Sequence, residues 1–483
     1  MENRGIRPDP RAGVFICFWA VTTLFGGTLF AQQGSKQRSP GARDRIMIAY
    51  VWSFSNIGDI SISPGLLNLL DRRLPHYKKT LIASGSETRA RTYLQKSFPD
   101  CEVIKDVFAG SAFREALAKA KADFGGKLPA LRQGNVDYVF DTFAQNLVDA
   151  MRRNNPNFTK TLAETKLVVY NSGMILVYGK GTLAGNDFWS YSVRRSLPLL
   201  VAYKLGIPYG VYAHSFDSFG DAPGRPYFKR LLEGARFVFC RDGDSLNYVK
   251  SLGIKAPNLM FVPDSTVSFA RRDDAWAKAF MAEHELQSKQ FMVVIPRTWL
   301  GHSRISKSVG ERRSRAHMQK LREIIQDWVR KTGMKVVVAA EVRCQLPHAK
   351  HLVYDPLPED FKRRSVMMEK YWTTEQATAL YRHTRILVTM EQHSFLLAIP
   401  EGTPTVVPIF KESGRKIWML RDFRLGEYML DIDSASTQEI EEAIYKIHDN
   451  YERESQRLQT DVIPHLRAIE QTAMQIVAEA IDR

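Results

Sequence analysis

The feature that most constrains this chain is an alternation that runs through it twice. Apolar runs rich in β-branched residues, among them RIMIAYVW, KKTLIASGS, CEVIKDV, TKLVVYNSG, IPYGVYAHSF, ARFVFCRD and NLMFVPDSTVSF, are separated by spans with helical spacing. Those spans include LLNLLDRRL, TRARTYLQKSF, RRSLPLLVAYKLG and GDSLNYVKSLG, the last closed by Gly253. The pattern then restarts with QFMVVIPRT, MKVVVAAE, RILVTMEQHS and TPTVVPIF. Its helical partners are MQKLREIIQDWVRKTG, TTEQATALYRHT with Thr373 or Thr374 as N-cap, and FLLAIPEG. Strands that read as unbroken apolar runs are covered by helices on both faces, which is the signature of parallel sheets. The expectation is α/β: two doubly wound (Rossmann-like) domains facing each other, 45–285 and 286–435, and a C-terminal helical segment, 436–483. Ligands in such folds sit outside the carboxyl ends of the strands. With two facing domains, that place is the cleft between them.

The chain ahead of this pattern is of another kind. Arg4, Arg7 and Arg11 precede AGVFICFWAVTTLFGGTLFA, and residues 32–44 form a polar Gly/Ser/Pro linker. Residues 1–31 read as a signal peptide or as an N-terminal membrane anchor. Arg and Lys on both sides leave the orientation open, and a true start near Met47 is a third reading. No function is assigned to 111–165, which reads as mostly polar helix.

A formal net charge of +16 is spread along the 483 residues with no stripe of interleaved aromatics, so nucleic acid is not an expected partner. A basic surface suits an anionic small molecule, a glycan or a membrane. Cys17, Cys101, Cys240 and Cys344 stand alone, with neither a disulfide framework nor metal-ligand spacing.

Several loops at strand ends resemble, in order, the polysaccharide pyruvyl transferase family. The matching pieces are NIGDISISPGLLNLL, LPLLVAYKLGIPYGVYAHSF, FVFCRDGDSLNYVKSLG, VPDSTVSF and ILVTMEQHSFLLAIPEGTPTVVPIF, spread over residues 47–430. The resemblance implies a glycosyltransferase-B-like architecture. It also implies transfer of a pyruvyl group from phosphoenolpyruvate, as co-substrate and with no cofactor, to a sugar of a polysaccharide precursor, forming a ketal.

Such chemistry needs an acid, a base, and cations for a carboxylate and a phosphate. His393, in the family's His position, is the expected acid, because imidazole titrates near neutral pH. Asp59 is the expected base toward the sugar hydroxyl. Arg241 matches the family's Arg and would grip an anion in two-pronged fashion, unless it is spent on Asp242 or Asp244. Arg297 and Lys416 are further anion candidates, and Ser172 and Gly173 belong to the altered turn on the donor side. Asn56, Gly58, His214 and Asp264 are assigned to the acceptor. In this reading NIGD is a site loop, Gly58 permits close backbone approach, and a helix starting near Pro64 points its dipole at the cleft. Trp52, Phe54, Trp189 and Tyr191 are candidates for stacking on sugar rings.

Two departures matter. Where the family carries Arg-x-His this chain reads MEQHS, with Glu391 in the Arg position. Two like unit charges ~4 Å apart repel by about 4 kcal/mol at an effective dielectric of ~20. The turn NSGM also keeps only Gly173 of a Gly-rich stretch. Phosphoenolpyruvate is cytosolic, so an anchor that leaves the catalytic domains in the cytosol is preferred, with export by a signal peptide as the alternative. Two other functions stay open: a nucleotide-sugar glycosyltransferase on the same scaffold, and a non-catalytic glycan-binding relative that has lost its donor site.

Overall fold

The computed structural model describes residues 44–482, apart from 109, 130–132, 181, 221–223 and 300–304. The proposed signal or anchor segment and nearly all of the linker lie outside the described residues. The remainder belongs to one compact unit, Arg43–Arg483. Among the described residues no helix is long and apolar enough to cross a membrane.

Among the described residues, thirteen strands, all paired in parallel, form two sheets. The first holds β1 (Arg45–Val51), β2 (Lys78–Ala83), β3 (Glu102–Lys105), β4 (Thr165–Tyr170), β5 (Tyr209–His214), β6 (Phe237–Cys240) and β7 (Leu259–Phe261) in the order β3-β2-β1-β4-β5-β6-β7. The second holds β8 (Phe291–Ile295), β9 (Lys335–Val338), β10 (Ser365–Met367), β11 (Ile386–Thr389), β12 (Thr405–Ile409) and β13 (Met429–Asp431) in the order β10-β9-β8-β11-β12-β13. Each order reverses once, between β1 and β4 and between β8 and β11. A doubly wound sheet opens its ligand crevice at such a reversal.

The runs that read as strands are strands because both faces of each sheet are covered. Every residue of β1, β8 and β12 is buried. Phe113, Phe140, Phe143, Leu147 and Phe158 close one face of the first sheet, which is what the stretch 111–165 is for. The last helix, Ile463–Asp482, leaves the second sheet and returns to the first. Its Ala473, Met474, Val477 and Ile481 pack into the cluster that contains Ile46, Leu66 and Val169. Burying a side chain of Val, Ile or Met size is worth about 1.5–3 kcal/mol, so this return fastens the two halves together.

One helix start differs from expectation. The helix after β1 runs Ile57–Arg73, so Pro64 lies inside it and NIGD is its opening turn. The cap is Asn56, whose Oδ1 accepts from Gly58 N at 2.7 Å and Asp59 N at 3.4 Å. This turn is wedged against the second half. Ile57 N donates to Glu341 O, Arg343 N to Ser55 O, and Thr374 Oγ1 to Ile57 O. The short strands β10 and β13 were not foreseen.

Candidate active site

A cleft of about 700 Å³ lies at the carboxyl ends of both sheets. Its wall draws on the segments after both reversal points: Trp52, Asn56 and Asp59 after β1, Gly173 after β4, Arg297 after β8, and Glu391, Gln392 and His393 after β11. Glu341 after β9, Arg241 after β6 and Lys416 after β12 complete its charged end.

His393 sits in the first turn of the helix Gln392–Ala398 and is 4 % exposed. Its Nδ1 donates to Glu341 Oε1 at 3.0 Å. Glu341 is held in turn by Ser394, whose N and Oγ donate to Oε2 at 2.7 and 2.9 Å. Burial alone would push the imidazole pKa down, but the Glu341 carboxylate, with Asp59 and Asp264 beyond it, outweighs burial and raises it. Burial also works against ionised Glu341, and there His393 and Ser394 win, holding its carboxyl below the usual range. The two shifts agree: the resting pair is imidazolium and carboxylate. The amide of Gln392 lies 3.2 Å from Nε2, and its oxygen has no partner. Turned end for end it would accept from that nitrogen.

Gly58 explains how the two halves meet here. A Cβ on it would lie 1.9 Å from His393 Cγ, so the opening turn of the Ile57–Arg73 helix rests its bare backbone on the imidazole ring. Asp59, one residue on, lines the cleft. Burial raises its carboxyl pKa, against the pull of His393 and Lys416.

Glu391 faces Arg297. Thr389 of β11 pairs with Ile295 of β8, so residues two steps beyond each strand end stand level. Arg297 Nη1 donates to Glu391 Oε2. The cation absent from position 391 is thus supplied at 297. Burial still drives Glu391 up to about 7, because Arg297 only partly offsets it and Glu341 adds to it. Lys416 is brought in by the turn Arg415–Trp418. Burial, with Arg297 and Arg241 beside it, pulls its ammonium down to about 8. Its neighbour Arg415 turns away, donating to Phe216 O and Asp217 O.

The remaining candidates hold the frame. Arg241 donates to Asp264 Oδ2 at 2.6 Å and to Ser215 Oγ at 2.8 Å, so its acidic partner is Asp264 and not Asp242 or Asp244. Burial opposes ionised Asp264, yet Arg241 holds its carboxyl below the usual range. Asp242 caps the helix Gly243–Ser251, and Asp244 pairs with Arg421. His214 is fully buried, and its Nε2 accepts from Ile175 N at 3.1 Å and Leu176 N at 3.2 Å. Burial, then the Arg241 charge, holds it neutral. It therefore shapes the turn after β4 and does not line the cleft. Ser172 Oγ is turned to Tyr212 O and Ser265 Oγ, both at the limit of hydrogen bonding. Asp264 and Ser172 are likewise set back from the wall, while Asn56 and Gly173 are part of it. Trp52 and Phe54 line the cleft; Trp189 is core, donating to Pro129 O. Among the described residues no group of His, Cys, Asp and Glu could hold a metal ion.

Glu341, Arg89 and Arg195 were missed. Arg89 and Arg195 lie on helices to which the sequence reading gave no site role, and both line the cleft. Glu341 carried a signal: an acid closing the apolar run MKVVVAAE, at the carboxyl end of a central strand.

A model of the family described as polysaccharide pyruvyl transferase matches residues 56–407, which include every cleft residue named above except Trp52, Phe54 and Lys416. No curated protein matches the chain. Among solved structures, UDP-GlcNAc 2-epimerase from Neisseria meningitidis, bound to UDP-GlcNAc, is similar over 90% of this chain and 100% of its own, with a TM-score of 0.51 and 10% identity. A ugt transferase from Siraitia grosvenorii in complex with UDP is similar over 91% of this chain and 99% of its own, with a TM-score of 0.50 and 13% identity. At these identities the likeness is one of fold, the glycosyltransferase-B arrangement of two facing α/β halves.

Proposed function

The chain belongs to the polysaccharide pyruvyl transferase family, and from that premise we propose that it moves a pyruvyl group from phosphoenolpyruvate to a sugar of a surface or exported polysaccharide as a ketal. The observation that carries this reading is the buried His393–Glu341 pair, which keeps an acid protonated beside Arg297 and Lys416. Arg297 and Lys416 receive the donor's carboxylate and phosphate.

His393 gives its Nε2 proton to the methylene carbon of the donor, which becomes a methyl group. The adjoining carbon turns cationic and is attacked by a sugar hydroxyl, whose proton passes to Asp59. The bond from that carbon to the phosphate oxygen then breaks. A second hydroxyl closes the ketal as phosphate departs carrying one proton. Asp59, its pKa raised by burial, is a stronger base than an ordinary aspartate toward a hydroxyl proton. Trp52 and Phe54 offer faces for the sugar. The reading calls for the catalytic unit to share a compartment with phosphoenolpyruvate, with residues 12–31 as the candidate anchor.

The test is to incubate the purified chain with phosphoenolpyruvate and a panel of saccharides, free and lipid-linked, and to follow phosphate release and product by NMR. Acceptor-dependent phosphate release with a new ketal methyl signal supports the reading. Nucleotide release from a nucleotide sugar, with phosphoenolpyruvate untouched, would replace it with glycosyl transfer.

A further inference from the structure

The Arg297–Glu391 pair poses a physical problem for any anion entering the cleft. Glu391 is 2 % exposed and holds Arg297 with one oxygen. Its other oxygen, Oε1, is buried and has no hydrogen-bond partner. The charged groups facing it are Arg297 at the end of β8, Glu341 at the end of β9, Lys416 after β12, and His393 on its own turn. Asp59 and Arg241 face Lys416 from the first half. His393 is already committed to Glu341, and Arg241 to Asp264. A carboxylate or phosphate that binds at Arg297 must therefore share it with Glu391 or displace Glu391. A carboxylate stripped of its cation in a dry site does not stay ionised.

We propose that Glu391 is a proton-taking counter-ion: it occupies Arg297 in the empty cleft, and it is neutralised by one solvent proton when the anionic donor takes its place. This rests on the donor reading given above. The pair stands level at the ends of the adjacent strands β8 and β11. Binding is then linked to proton uptake, and it weakens as pH rises past the point where Glu391 ionises in the empty site. That point lies at about 7, set by burial against the pull of Arg297. A carboxylate where the family carries Arg thus makes donor binding conditional on pH, and it keeps Arg297 from holding stray anions in alkaline conditions.

The test is calorimetric titration of the whole protein with phosphoenolpyruvate at pH 6 and pH 8, in two buffers of different ionisation heat, for the native chain and Glu391→Gln. Lys416, pulled down to about 8, also gains protons as an anion arrives, so the quantity read is the difference between the two proteins. At pH 8 the native chain should take up about one more proton per donor than Glu391→Gln, and bind about tenfold more weakly. At pH 6 the two should bind alike. Glu391→Ala serves where glutamine does not fold, as it leaves room for water beside Arg297. Equal proton uptake, or weaker binding by the variant at pH 8, overturns the inference while leaving the donor reading intact. Absence of binding by both proteins at both pH values overturns the donor reading and the inference with it.

Discussion

Two histidines at strand ends, one on each half of the molecule, show how the same position is put to opposite uses. His214 closes β5 and His393 follows β11; both are buried, with His214 fully so. His214 is buried, meets two backbone N–H groups and lies beside the Arg241 charge at the end of the neighbouring strand β6, so it is held neutral as an acceptor. His393 meets a carboxylate and is held protonated as a donor. Burial pushes both the same way; the partner decides the outcome. The contrast extends along each edge. In the first half, Arg241, Asp264, Asp242 and Ser215 satisfy one another. In the second half, Gln392 Oε1 and Glu391 Oε1, on residues of the cleft wall, are left without partners; in the first half His214 Nδ1 is left so behind the wall. Around Arg241 the side chains are frame; around His393 they are chemistry.

Substitutions can break this contrast, and the largest effect belongs to His393. His393→Gln should lower kcat by roughly 10²–10⁴-fold, the usual worth of a general acid, and should also lower the thermal midpoint, because the buried Glu341 carboxylate loses its cation. Arg241→Ala should act mainly on stability, because it strands Asp264 as a buried charge. Removing one partner of such a pair costs about 3–5 kcal/mol, readable by denaturant unfolding. A variant that folds normally and loses only donor binding would move Arg241 from frame to chemistry.

Glu341→Gln sharpens the picture through pH. An acid catalyst works below its pKa, so the native rate falls as pH rises through the elevated His393 value. Without the carboxylate that value drops, and the falling limb of the rate profile moves to lower pH. An unmoved limb would mean that Glu341 only positions the ring. Gly58→Ala should cost about 1–3 kcal/mol, the range for overpacking, and should also lower kcat, since its Cβ collides with the His393 ring. His214→Ala should cost about 1–3 kcal/mol, the penalty for buried N–H groups left unpaired. Its kcat should fall far less than that of His393→Gln.

Much of the frame was legible in the sequence, for a physical reason. A strand buried on both faces cannot afford polar residues, so KLVVY, FMVVI and TVVPI declare themselves. The three-residue strands β10 and β13 are too short to carry any period. The helix start was misread because Asn56, Ser61 and Ser63 make the first turns look like a loop, and because Pro64 suggests a beginning. In the site, single residues were visible and pairs were not. Arg241 and Asp264 lie at the ends of neighbouring strands β6 and β7, and Arg297 and Glu391 at the ends of β8 and β11. Sheet order, not sequence distance, joins them. That is why Glu391 looked like a lost cation, when β8 had supplied one beside it.

The central claim is that the second half holds its histidine charged while the first holds its own neutral. The direct measurement is an NMR titration of imidazole nitrogens in histidine-labelled protein, with His214→Ala and His393→Gln to assign the two signals. The account predicts an imidazolium at 393 that persists above pH 6.5, moving down in Glu341→Gln, and a neutral ring at 214 throughout. A neutral His393 at pH 6.5 would contradict it.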